Sequence, residues 1–140
     1  MTSDESIEEF AKSRGLGELA TSMGVRVLVA TADSVVMSMP VDGNRQPLGL
    51  LHGGANVVLA ESAGSLAANI YAQPEAYAVG VDISATHLKS AIEGNVTATA
   101  VPLKLGKTIA VYQIEIRDES GDLTCVSRLT CAIRKKSQAK

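Results

Sequence analysis

Tryptophan is absent from this sequence, phenylalanine occurs once and tyrosine three times. Burial must therefore be carried by Val, Ile, Leu and Ala, which let a helix approach a sheet closely and offer little surface for stacking nucleic-acid bases. Histidine is scarce as well: only His52 and His87 occur, and with Cys125 and Cys131 they make no zinc-binding spacing. The two cysteines lie six apart in one run of alternating residues. That puts them on one strand face about 20 Å apart, too far to bridge, and they are expected as buried thiols. Charge of one sign is not in excess, since 13 Lys+Arg stand against 15 Asp+Glu for a net charge of -2. No basic stripe is present, so nucleic acid is not expected as a partner. Long hydrophobic runs are missing too. The longest candidate, 55–72, is interrupted by Asn56, Glu61, Ser62 and Ser65, so no membrane partner is expected. The opening residues, MTSDESIEEF, are acidic and lack the positive start of a signal peptide, which predicts a cytoplasmic protein.

What remains is ordinary globular composition, 46% hydrophobic and 20% charged, over a length that suits one domain, 1–140. Residues Ser6 to Met23 read as a weak N-terminal helical segment punctuated by Gly15, Gly17 and Gly24. Two β-rich runs follow, Val25 to Ala32 and Ser34 to Val41, with Pro40 placed at an edge or strand end. The one long helix begins after His52-Gly53-Gly54 and runs to about Tyr71, where Gln73-Pro74 ends it. Four further strands are expected in meander: Tyr77 to Leu88, Asn95 to Leu105, Lys107 to Asp118 and Leu123 to Arg134. In the last, apolar Leu123, Cys125, Leu129, Cys131 and Ile133 alternate with Thr124, Arg128, Thr130 and Arg134, the period of a half-buried antiparallel strand. The tail from 135 to 140 is expected to fray. About six strands and one long helix make an α+β fold in which the sheet wraps around the helix, and the uncovered sheet face and edge favour oligomerisation.

The run LLHGGANVVLAESAGSLAANIY carries the candidate chemistry. Two glycines stand where a helix begins, and a helix start has unsatisfied N–H donors and the positive end of a dipole. Such a terminus can hold a carbonyl oxygen that gains negative charge under attack, and Gly54 is the candidate donor. A glycine pair that serves only as a tight turn is the plainer alternative. Glu61 lies mid-helix, with no Lys or Arg three or four residues away to pair with it. A carboxylate among small residues is either desolvated or opens into a cleft, which suits a nucleophile or general base, although an exposed outer-face Glu is the common case. Ser65 lies one turn on, placed to hold a water or to bond its own helix backbone. No G-x-S-x-G elbow is present for a serine hydrolase.

The stretch from Gly49 to Gly54 with Glu61 in the following helix, together with VGVDISATHLKSAIEG, resembles the hotdog-fold thioesterases of the phenylacetate and 4-hydroxybenzoyl-CoA type. Among these it most resembles bacterial thioesterases that act on 1,4-dihydroxy-2-naphthoyl-CoA and similar aryl-CoA esters. The resemblance runs from about Gly24 to Arg134. It implies an acyl-CoA thioesterase with Glu61 as the catalytic carboxylate and the backbone N–H of Gly54, or of Gly53, polarising the thioester carbonyl. It further implies that His52 and Gln46 align the thioester, that Ser65 places the water, and that Glu61 faces the glycine turn of a second subunit. The chain is then a homo-oligomer, with a dimer as the minimal unit and a tetramer as the expected assembly. No cofactor is implied, coenzyme A being part of the substrate. Its phosphates call for cations, for which Lys89, Lys104 and Lys107 are candidates with His87 beside them. Asp82 is expected to be structural or pocket-lining. Two alternatives stay open: an acyl-thioester dehydratase of the same fold, using His52 with Glu61, and an acyl-CoA-binding or sensing domain that does no chemistry.

Overall fold

β-branched and aliphatic residues in alternation fill six strands, and the Ala-, Gly- and Ser-rich run fills the helix they enclose. The structure, a computed structural model, describes residues 15–137. The short helix α1 (Gly17–Ser22) leads into β1 (Arg26–Ala30) and β2 (Val35–Pro40). The long helix α2 (Gly53–Ala72) follows, then β3 (Ala76–His87), β4 (Asn95–Leu105), β5 (Ile109–Arg117) and β6 (Leu123–Lys135). All pairs are antiparallel, in the order β1-β2-β4-β5-β6-β3. The expected α+β layout holds, and α2 packs along the face of the sheet against β2, β3, β4, β5 and β6.

The expected meander of four strands holds only for β4-β5-β6. Strand β3 lies instead at the far edge, paired with β6 from Ala76↔Lys135 to His87↔Cys125. Connection length explains the difference. Only 73–75 separate α2 from β3, a reach of about 10 Å, so β3 must start beneath the C-terminal end of the helix. The N-terminal segment also differs within the described residues. Gly15 and Gly17 adopt positive φ, and helix is confined to α1; the remainder of the expected segment lies outside the described residues. Fraying from 135 is not seen at its start: β6 runs through Lys135, and the Lys136 N–H donates to the Glu75 carbonyl.

The helix buries Leu59, Ala60, Ala63, Ala67 and Ala68 completely. Small residues there set the spacing. A β-carbon built on Gly64 would lie 2.7 Å from Leu129 Cδ2 and 3.4 Å from Ile114 Cδ1, so the helix backbone rests directly on β5 and β6 side chains. On the sheet side Met37, Met39, Tyr112, Ile114, Ile116 and Leu129 are fully buried. The Tyr112 hydroxyl donates to the Ala32 carbonyl at 2.8 Å, and burial pushes its pKa above the usual range. Cys125 and Cys131 are free, buried thiols as expected. Thr124 is buried despite its expected polar side, its hydroxyl donating to the Ile116 carbonyl at 3.0 Å.

Asn69 joins helix to sheet edge. Its Nδ2 donates to the carbonyls of Ser65 (2.8 Å) and Ala78 (3.1 Å), and its Oδ1 accepts from the Ala78 N–H (2.9 Å). Ala78 faces Ile133 of β6, whose own N–H turns to Thr108, so the Ala78 backbone groups point to the free side of β3.

Candidate active site

A backbone turn builds the mouth of α2. Residues 42–51 loop back so that Arg45 bridges Leu51, and the His52 N–H donates to the Asn44 carbonyl at 2.9 Å. Asn44 ties this loop down through Nδ2 bonds of 2.8 Å to the carbonyls of Met23 and Pro40. His52 is then the N-cap of α2, and its Nδ1 accepts from the Gly54 N–H at 2.8 Å. The Gly54 donor is thus engaged within its own chain, and it reaches a carbonyl only by sharing or leaving that bond. The Gly53 N–H, one of the donors a helix start leaves unsatisfied, has no partner among the described residues.

Gly53 opens on a cleft of about 330 Å³ whose lining includes Gln46, Asn56, His87 and Lys89. The structure therefore brings Gln46, Gly53, His87 and Lys89 together, as expected of a binding mouth. Gln46 Oε1 accepts from the Leu48 N–H, which leaves the Nε2 end of its amide to face a ligand. His87 closes one side: a β-carbon on Gly53 would lie 2.9 Å from His87 Nε2. Lys89 stands on the rim, clamped by Asp118 at 2.8 Å and Asp122 at 2.6 Å. Those hydrogen bonds raise its pKa above the ordinary lysine value and lower that of Asp118 below the ordinary carboxylate value.

Glu61 lies elsewhere. It lines a second cleft, of about 340 Å³, with Ser62, Ser65, Asn69 and residues 15–17. No ion pair or hydrogen bond reaches its carboxylate among the described residues. Of the two settings expected for such a group, the half-buried side chain takes the one that opens into a cleft. Ser65 stands beside it in the lining of the same cleft, and the Cys131 thiol lies within reach of the Glu61 charge. Burial, with the Glu61 charge added, pushes that thiol up to about 11.

Seven residues separate Gly54 from Glu61, which puts them on the same side of α2 but about 10 Å apart along its axis. A nucleophile must come within about 3–3.5 Å of its carbonyl. In one chain the helix terminus and the carboxylate lie in two different clefts, about two turns of helix apart. For the same reason His52 and Glu61 do not pair within a chain. Lys104 and Lys107 are farther still. The turn between them lies where the Tyr71 hydroxyl donates to the Gly106 carbonyl at 2.9 Å, at the opposite end of α2 from the mouth. Asp82 is exposed on β3, outside the linings of both clefts.

A model of the thioesterase superfamily matches residues 48–125, a span that begins in the mouth loop and includes Glu61. The chain belongs to the thioesterase superfamily. It is a thioester hydrolase of the hotdog fold. The 1,4-dihydroxy-2-naphthoyl-CoA hydrolase of Escherichia coli is 46% identical over 126 residues, covering 89% of this chain and 93% of that one. A 1,4-dihydroxy-2-naphthoyl-CoA hydrolase of Listeria monocytogenes is 40% identical over 119 residues, covering 84% and 97%. Among solved structures, a thioesterase of Haemophilus influenzae superposes with a TM-score of 0.85 at 36% identity, covering 99% of this chain and 96% of that one.

Three residues of this thioesterase were not singled out from sequence. Asn56 is buried in the mouth wall, its Nδ2 3.3 Å from His87 Nδ1 and its Oδ1 without a partner among the described residues. Asn69 is the clamp on β3, and Gly80 lies directly under the Glu61 carboxylate, 2.6 Å from Oε2 to a built β-carbon. Their signals were present: two asparagines in an apolar helix, and a glycine inside a strand.

Proposed function

We propose that the chain hydrolyses acyl-CoA thioesters, aryl-CoA esters such as 1,4-dihydroxy-2-naphthoyl-CoA or hydroxybenzoyl-CoA first among them, at a site shared by two copies. The observation that carries this reading is the Glu61 carboxylate. It has no cationic partner among the described residues, opens into a cleft, and stands two turns from the helix terminus that would hold the carbonyl. An antiparallel pair of chains related by a two-fold axis can set Glu61 of one against the mouth of the other, which makes the dimer the minimal active unit. A tetramer is the assembly this reading expects. The thioester carbonyl would rest on the N–H of Gly53 or Gly54, with His52 and Gln46 aligning it. Glu61 would attack the carbonyl or take a proton from a water that Ser65 helps to place. The leaving group is a thiolate, which departs readily, so no metal or organic cofactor is invoked. His87 and Lys89 stand at the mouth of their own chain for the coenzyme A end. Lys104 and Lys107 can serve a mouth only across a subunit boundary. The aryl preference is supported by the names of the Escherichia coli and Listeria monocytogenes relatives.

Thiol release from a panel of aryl- and alkyl-CoA esters tests the activity. Glu61→Ala should lower kcat at least about a thousandfold with the assembly intact, a loss of about 4 kcal/mol. A parental rate in that variant would refute the role of Glu61. Sharing is tested by mixing it with Gly54→Pro, which removes the Gly54 N–H and displaces the His52 cap that it binds. Two inactive homomers should regain about a quarter of the parental rate on subunit exchange, half the dimers being mixed and each mixed dimer having one intact site. No recovery after proven exchange would place the whole site within one chain.

A further inference from the structure

Strand β3 carries a glycine whose presence its backbone does not require. Gly80 is not among the glycines with positive φ, so a side chain meets no conformational obstacle there. Glycine inside a strand weakens it by roughly 0.5–1 kcal/mol and commonly marks a bulge or a close approach. Both occur at Gly80. The β3–β6 register shifts between Gly80 and Asp82, so Val81 is left without an opposite residue. Across the same backbone lies Glu61: a β-carbon at 80 would stand 2.6 Å from its Oε2, 3.7 Å from its Cδ and 3.4 Å from Leu129 Cδ1.

We propose that Gly80 is a positioning residue for Glu61: its missing side chain leaves the seat in which the carboxylate lies. The inference rests on Glu61 being the reacting group. A glutamate side chain has three rotatable bonds, and holding it still is costly in entropy. Here the floor is the bare backbone of Gly80, with Leu129 beside that glycine, so the carboxylate is limited in depth while its free side faces the cleft. The bulge sets that floor, since an added residue re-aims a strand locally, a device common beside active sites. Any larger residue at 80 lifts the carboxylate. To regain ordinary contact at 3.4 Å from 2.6 Å, it must retreat by about 0.8 Å.

Gly80→Ala, made in two backgrounds, is the test. In the otherwise unaltered chain, kcat for an aryl-CoA ester should fall about 30- to 100-fold, as expected for a reacting group displaced by nearly 1 Å, while KM stays within about threefold. In the Glu61→Ala background no carboxylate remains to be displaced. There the same change should leave the melting temperature and the affinity for unhydrolysed benzoyl-CoA unaltered. A single variant that retains the parental kcat overturns the proposal. So does loss of fold or of benzoyl-CoA affinity in both backgrounds, which would assign the glycine to the sheet alone. If Glu61→Ala itself hydrolyses the ester at the parental rate, the underlying assignment of Glu61 has failed, whatever Gly80 does.

Discussion

Replacing Asn69 by alanine should loosen β3 from α2 and cost about 3 kcal/mol. The side chain makes three bonds, two donated to the carbonyls of Ser65 and Ala78 and one accepted from the Ala78 N–H. Each such bond contributes about 1 kcal/mol net, and more where its loss strands a buried group. Ala78 is 7% exposed while the Asn69 amide covers it. For a domain of this size, about 3 kcal/mol corresponds to a fall of about 10 °C in melting temperature. Unfolding in urea at one fixed protomer concentration, followed by far-UV circular dichroism, measures the loss without confusing it with assembly. Amide hydrogen exchange locates it: the Ala78 N–H should lose protection while β5 stays protected. Asn69→Asp separates the parts, because it keeps the acceptor for the Ala78 N–H and sets a charge against two carbonyls. Ala78 should then remain protected although stability still falls. A change below about 0.5 kcal/mol with unaltered Ala78 exchange would refute the clamp.

Two further outcomes follow from packing and burial. Gly64→Ala places a β-carbon 2.7 Å from Leu129 Cδ2 and should destabilise by about 1–3 kcal/mol; a double-variant cycle with Leu129→Ala, read by urea unfolding, should recover part of that loss. The buried Cys131 thiol, raised from 9.0 to about 11, binds its proton more tightly when folded, so its contribution is complete below pH 9 and is lost as pH rises to 11. That contribution is about 3 kcal/mol, and unfolding curves from pH 7 to 10.5 should show a steeper alkaline decline in the parent than in Cys131→Ala.

Much of the architecture was legible because its signals are local. Period-two alternation marked β6, and the His-Gly-Gly start and Gln73-Pro74 end placed α2 within a residue or two. Strand order was not legible. The position of β3 depends on how far three linking residues reach after a 20-residue helix has crossed the sheet, a property of the assembled fold. At the site, Glu61 stood out for its want of a partner charge, and that holds in three dimensions among the described residues. Gly80 and Asn69 did not stand out, since each matters through a neighbour distant in sequence: Glu61 for the first, Ala78 for the second. Lys89 was a candidate cation for the phosphates of coenzyme A, and the sequence carried no sign that Asp118 and Asp122, from the β5–β6 turn, hold it.

The Asn69 clamp also sets a boundary. β3 ends the sheet, and a strand edge with open N–H and carbonyl groups is a template for another strand. At Ala78 both groups are already taken by the Asn69 amide, so an incoming strand finds no rung there. The next rung along this edge toward the C-terminal end of β3 is at Gly80, beside the Glu61 carboxylate. The helix residue that steadies β3 therefore also limits how far a neighbouring chain can slide along it, tying the register of any added strand to the position of the carboxylate.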